Sequence, residues 1–247
     1  MPSLFDLSGQ KALVTGGSGA LGRALAEGLI EAGATVAIAG TSDRTQAVAA
    51  EIGAVALLAD LADRDALRRV FAEAVERLGG LDILVACHGE ATRHTAEDFP
   101  LDQWDRTLEV NLTSVFELCQ LAGRHMLARG HGKIITIASA LSFSGGITVP
   151  AYAASKGGIA QITKALANEW AARGVNVNAI APGYFDTPLT AGMKNDSVRE
   201  RQVLERIPAG RWGQPSDLKG AVVFLASRAS DYVHGILLPV DGGWLAR

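Results

Sequence analysis

Apolar residues along the chain alternate between short unbroken runs and longer stretches in which they recur every three or four positions. Lys11 to Thr15 is a short apolar run that breaks into the glycine-rich Gly16 to Gly22, after which Leu21, Leu25, Leu29 and Ile30 keep helical spacing. The alternation continues with an apolar run Thr35 to Ala39, a helical stretch to Ile52, apolar Ala54 to Ala59, a helix through Val70 to Leu78, and the strand Ile83 to Cys87. Beyond Gly89 a polar loop to Pro100 leads into one long helical region ending at Arg129, the strand Ile134 to Ala138, and a helix from Ala151 to Ala172. Val175 to Ala181 is the next strand, stopped by Pro182. Thr187 to Ser197 is polar and irregular, Asp217 to Ser227 is helical, and Ile236 to Val240 is the last strand.

So regular an alternation predicts an α/β chain: a single-domain, Rossmann-like doubly wound parallel sheet of about seven strands with helices on both faces. Residues 1–247 are expected to form one dinucleotide-binding and catalytic unit, with ligands gathered at the carboxyl ends of the strands. Composition narrows the partners. A net charge of −3 gives no basic surface for nucleic acid. Cys87 and Cys119 lie in apolar stretches and read as reduced core residues. The N-terminal residues carry no secretory pattern, and no apolar run approaches the roughly 20 residues of a membrane span, so a cytoplasmic protein is expected.

Thr15-Gly-Gly-Ser-Gly-Ala-Leu-Gly22 stands between a strand and a helix, where glycines let backbone N–H groups approach a pyrophosphate at the helix N-terminus. Gly16, Ser18, Gly19, Leu21 and Gly22 are the candidate contacts. Asp60, with Leu61, ends the third strand where a carboxylate can accept from an adenine amine, or else caps the helix beginning near Asp63. At the end of the second strand, where an acid marks NAD preference, stand Gly40, Thr41, Ser42, Asp43 and Arg44. Hydroxyls and an arginine suit a 2′-phosphate and Asp43 opposes it, which leaves NAD and NADP both open.

Tyr152 and Lys156 are four apart at the start of a helix and share a face. Bringing a phenol from its ordinary pKa to neutrality means favouring phenolate by about 4 kcal/mol, a task for a neighbouring ammonium and a positive nicotinamide ring together. Ser139 closes the preceding strand thirteen residues earlier, with its hydroxyl available to a substrate oxygen beside the phenol. Asn111, in Val110-Asn-Leu112, is an awkward residue for a helix interior; its amide either holds a water that links Lys156 to solvent or bonds to backbone.

Together these residues resemble the short-chain dehydrogenase/reductase family from end to end. Thr15 to Gly22 is similar to its phosphate loop, with Ala20 where a glycine is expected, and Asp60 to its adenine contact. Asn111, Ser139, Tyr152 and Lys156 resemble its catalytic tetrad, the last two also touching the cofactor, and Pro182-Gly183 through Phe185 to Thr187 its nicotinamide-facing segment. The family's Asn-Asn-Ala-Gly after the fourth strand stands here as Ala86-Cys-His-Gly89, with an amide missing and Gly89 kept at the cofactor edge. The resemblance implies hydride transfer between nicotinamide and a secondary alcohol or ketone, and a homotetramer in which the helices around Asn111 and Tyr152 pack across the boundary.

Segments from Asn168 to the C-terminus resemble the family's sugar-acid dehydrogenases, those acting on deoxy-gluconates, which implies a small sugar-acid substrate and usually NAD. Arg93, after the fourth strand, matches an arginine of that subfamily that can pair with a carboxylate; Ser139 and Tyr152 would hold the reacting oxygen. His94 is a weaker candidate, and Lys194 to Arg206 is either a lid or a solvated helix. His88-Gly-Glu90 lacks the Cys-x-x-Cys of a zinc site, so no metal is expected. Trp212, Trp244 and Leu245 read as core. The competing functions are reduction of a β-ketoacyl group on a carrier protein, oxidation of neutral polyols, and nucleotide sensing without catalysis.

Overall fold

Seven strands form one parallel sheet in the computed structural model, which describes residues 3–247. β1 (Lys11–Thr15), β2 (Thr35–Gly40), β3 (Val55–Leu58), β4 (Ile83–Ala86), β5 (Gly132–Ile137), β6 (Val175–Pro182) and β7 (Leu237–Val240) lie in the order β3-β2-β1-β4-β5-β6-β7. Register runs from Lys11 opposite Thr35 and Ala12 opposite Ile83 near the middle to Pro182 opposite Val240 at one edge. The winding reverses between β1 and β4, so the connections diverge there and open a crevice beyond the carboxyl ends of the strands.

Both faces are dry, and the two-residue period of each strand divides its side chains between them. From β1, Leu13 enters one core layer while Ala12 and Val14 enter the other; β4 does the same with Leu84 and Ala86 against Ile83 and Val85. The helices are α1 (Ala20–Glu31), α2 (Arg44–Ile52), α3 (Arg64–Leu78), α4 (Leu101–Leu108), α5 (Ser114–Arg129), α6 (Pro150–Trp170), α7 (Ala191–Lys194), α8 (Ser197–Leu204) and α9 (Lys219–Ala226). Leu25 and Leu29 of α1 and Val222 of α9 cover one face; Leu67 of α3, Leu118 of α5 and Ile159 of α6 cover the other. A third apolar cluster, with buried Trp212 and Trp244 and half-buried Leu245, packs outside the sheet beside Val203 of α8. Among the described residues no helix is long and apolar enough to cross a membrane.

Three elements differ from the sequence expectation. The long helix before Arg129 is two helices joined by a π turn, Glu109–Thr113, which carries Asn111. One residue more per turn leaves an apolar pattern almost unchanged, so the periodicity hides it. Pro182 is the last residue of β6 rather than its stop, because its missing N–H falls at the strand end. Cys119 is buried as core, but Cys87 is only partly covered and faces the crevice.

Candidate active site

The crevice at the β1–β4 reversal is a cavity of about 520 Å³. Its walls include Gly16, Ser18, Gly19, Leu21, Gly22, Thr41, Asp60, Leu61, Gly89, Tyr152, Lys156 and Thr187, which the sequence brings forward as cofactor residues. Pro182, Gly183 and Phe185 are not among its walls. Phe185 is buried under Gly213, with which it forms an isolated parallel bridge, and its carbonyl accepts from Thr190 Oγ1 at 2.5 Å. The segment therefore reaches the cavity only at Thr187.

The phosphate loop is built by close backbone approach. A Cβ on Gly22 would lie 2.2 Å from the Gly16 carbonyl oxygen, and one on Gly16, at φ +64°, would lie 2.9 Å from His88 Cα. Gly19 precedes α1 without a side-chain cap, so the first N–H groups of the helix are left for another acceptor. Ala20 opens α1 with no disturbance of that turn. A pyrophosphate fits this cradle. Asp63, not Asp60, caps α3, accepting from Asp65 and Ala66 N–H; Asp60 Oδ1 accepts only from Ala62 N–H at 3.0 Å on the cavity rim.

At the other end of the cavity Tyr152 and Lys156 rise from the first turns of α6. The Lys156 Nζ lies 5.6 Å from the Tyr152 ring centroid and donates to the Ile137 carbonyl at 2.6 Å. Burial pulls the Lys156 pKa down to about 8, and burial also raises that of Tyr152, which the Ser139 hydroxyl opposes. The ammonium thus lies beside the phenol ring while its hydrogen bond is made to β5 backbone. Ser139 caps the short turn Ala140–Ser142, its Oγ accepting from Leu141 N–H at 3.1 Å, which leaves its proton free to donate.

Asn111 is fully buried and commits its amide to protein: Nδ2 donates to the Glu90 carbonyl at 2.8 Å and to Ser155 Oγ at 3.2 Å, and Oδ1 accepts from Glu90 N–H at 2.8 Å. Arg93 is exposed in the loop above, its Nη2 on Met193 Sδ of α7 at 3.7 Å, and its charge favours phenolate at Tyr152. His94 is held aside by Gln103 Oε1 at 2.8 Å. Its N–H donates to the Thr148 carbonyl at 3.0 Å, and Thr148 has φ +63°, strained backbone four residues before Tyr152.

Arg44, the arginine that the sequence offers to a 2′-phosphate, is in the cavity wall with Thr41. Arg106, which the sequence does not bring forward, is also in the wall and pairs with Glu90 at 3.3 Å. His88 is buried, its Nδ1 2.7 Å from Thr15 Oγ1 and its Nε2 2.8 Å from Ser114 Oγ. Only the departure Ala86-Cys-His-Gly89 drew attention to it. Among the described residues no group of three or more His, Cys, Asp or Glu is placed to hold a metal ion.

A family profile described as enoyl-(acyl carrier protein) reductase matches residues 17–245. A 2-dehydro-3-deoxy-D-gluconate 5-dehydrogenase of Bacillus subtilis is 52% identical over 98% of this chain and 97% of its own length. This chain belongs to the short-chain dehydrogenase/reductase family. Its members named here are oxidoreductases. A 2-dehydro-3-deoxy-D-gluconate 5-dehydrogenase of Escherichia coli is 47% identical over 99% of both chains. The crystal structure of a gluconate 5-dehydrogenase from Burkholderia cenocepacia in complex with NADP and tartrate superimposes with a TM-score of 0.95 at 40% identity, covering 98% of each chain. The chain is thus a nicotinamide-dependent oxidoreductase of this family, acting on CH–OH groups.

Proposed function

We propose that this short-chain dehydrogenase/reductase interconverts a secondary alcohol and a ketone on a small sugar acid, a deoxy-gluconate by preference, with Tyr152 as its acid/base. One observation carries the reading: Tyr152 stands half-buried in the cavity wall with the Lys156 ammonium 5.6 Å from its ring centroid, and the Ser139 hydroxyl and the Arg93 charge both favour its phenolate. A carboxylate of the substrate then pairs with Arg93 while the reacting oxygen sits between Ser139 and Tyr152. The names of the relatives support the sugar acid.

Bound nicotinamide dinucleotide would accept or supply the hydride. Gly16, Ser18, Gly19, Leu21 and Gly22 would hold its pyrophosphate, Asp60 and Leu61 its adenine, and Thr41 its ribose; Gly89 and Thr187, with Pro182 to Phe185 behind Thr187, would face the nicotinamide half. Tyr152 Oη takes the alcohol proton in oxidation and returns it in reduction. Ser139 Oγ donates to the same substrate oxygen and steadies it in both directions. Lys156, fixed on the Ile137 carbonyl, adds positive charge beneath the phenol while it is protonated. Asn111 keeps Glu90, and with it the cavity wall after β4, in place. No carboxylate stands at Gly40, so NADP as well as NAD is admitted, Arg44 being available to a 2′-phosphate.

The protein would be a single-domain subunit repeated as a homotetramer in the cytoplasm; Phe116, exposed on α5, suits a subunit face there. The deciding experiment is initial-rate oxidation of hexonates, deoxy-hexonates and polyols with NAD and NADP in parallel. Fast turnover of a deoxy-hexonate is expected. Activity confined to neutral polyols or acyl ketones would leave Tyr152 in its role and remove the sugar acid.

A further inference from the structure

We infer that His88 is a positioning residue for the dinucleotide site: its imidazole, in the neutral Nε2–H form, ties the strand that ends in the phosphate loop to the helix start beside Asn111. Thr15 and Ser114 are fully buried and His88 nearly so, in a chain whose hydrogens can be assigned. Thr15 Oγ1 accepts from Cys87 N–H at 3.1 Å and lies 2.7 Å from His88 Nδ1; Ser114 Oγ lies 2.8 Å from His88 Nε2 and donates to the Val110 carbonyl at 2.7 Å. Each hydroxyl has one proton. If Ser114 donates to Val110, His88 Nε2 must be the donor to Ser114 and Nδ1 the acceptor from Thr15. The other tautomer would turn the Thr15 proton to the Val85 carbonyl, at 3.5 Å, and take the Ser114 proton from Val110. Burial beside the Lys156 ammonium keeps the ring uncharged, its pKa lowered to about 3.

The consequence lies on both sides of the ring. Thr15 is followed by Gly16, whose backbone approaches His88 Cα so closely that no Cβ fits. Ser114 follows directly on the π turn Glu109–Thr113, from which Asn111 holds both backbone groups of Glu90. The segment Cys87 to Glu90 is a cavity wall, and it is fixed at three points: the Cys87 N–H, the His88 ring and the Glu90 peptide. With cysteine and histidine standing where the family motif has an amide and an alanine, the ring makes a cross-tie that neither an alanine nor a thiol at position 88 could make.

This inference rests on the proposed path of the dinucleotide along the β1–β4 edge, and the test separates the two. NADH and NADPH binding to the full chain is measured by fluorescence titration for the parent, His88→Ala, His88→Asn and the double variant His88→Ala with Ser114→Ala, and the unliganded parent and His88→Asn are examined by 15N NMR with labelled histidine at pH 7. His88→Ala should weaken dinucleotide binding about tenfold, as the loss of two buried hydrogen bonds implies. His88→Asn, which retains an acceptor toward Thr15 but does not reach Ser114, should restore part of it. Ser114→Ala on the His88→Ala background should add less than about twofold, since both act through one bond. The spectrum should contain one neutral Nε2–H imidazole that His88→Asn removes. Binding by His88→Ala within about twofold of the parent overturns the inference, as does an Nδ1–H ring or an imidazolium at position 88. If His88→Ala does not fold, His88→Asn and the spectrum of the parent still decide. A parent that binds neither dinucleotide overturns the proposed cavity, and this inference with it; a parent that binds both while the variants match it overturns the inference alone.

Discussion

Asn111 grips Glu90 by both of its backbone groups, Nδ2 to the carbonyl and Oδ1 to the N–H, each at 2.8 Å. The π turn makes this possible by rotating one residue out of the helical ladder and aiming its short amide across to the loop after β4. Asn111→Ala should leave two backbone groups without their partner and lower stability by about 1–3 kcal/mol, with a parallel fall in kcat. Asn111→Asp, which keeps the acceptor but sets a carboxylate against the Glu90 carbonyl, should do no better. Urea unfolding checks the first expectation; an unchanged midpoint and slope would refute it.

Tyr152→Phe should reduce kcat at least about a hundredfold, the usual worth of a positioned acid/base, while dinucleotide binding stays measurable. The sign of the pH dependence follows from the roles. Burial raises the Tyr152 pKa, so phenolate is scarce at neutral pH and oxidation should speed up as pH rises, whereas reduction needs the protonated phenol and should slow down. Initial rates in both directions across the range test this, and a reduction rate that climbs with pH would contradict the assignment.

Lys156 carries a cost in the unliganded protein. Its folded pKa, about 8, lies below its ordinary value of 10.5, so between those values the unfolded chain binds more protons and this group makes stability rise with pH; below 8 the cost of burying the charge is fully present. Lys156→Met should therefore raise the melting temperature at neutral pH, by the equivalent of about 1–3 kcal/mol, flatten the rise above pH 8, and abolish turnover. Calorimetry of the two proteins is the check. A lower melting temperature for the variant would mean that the bond to the Ile137 carbonyl outweighs the desolvation.

Arg44 borders the cavity next to Gly40 and Thr41, with no acid at the end of β2. Arg44→Ala should weaken NADP binding about tenfold, the worth of one charge-assisted contact to phosphate, and leave NAD within about twofold. Equal losses for both dinucleotides would place the arginine elsewhere.

The order of apolar runs and helical stretches determined the parallel sheet with little left over, because a strand buried on both faces must be apolar throughout and a covering helix must repeat at its own period. Local spacing likewise set Gly16 to Gly22 between strand and helix and put Tyr152 and Lys156 on one face of α6. What escaped the sequence depends on residues far apart along the chain. Thr15, His88 and Ser114 meet only because β1 and β4 are neighbours and α5 crosses their ends. The π turn at Asn111 adds one residue to a helix whose apolar period barely registers it, and Phe185 is drawn under Gly213 by an isolated bridge that no local repeat announces. Periodicity records which face of an element is buried; only the register of strands and the crossing of helices decide which polar groups are buried together.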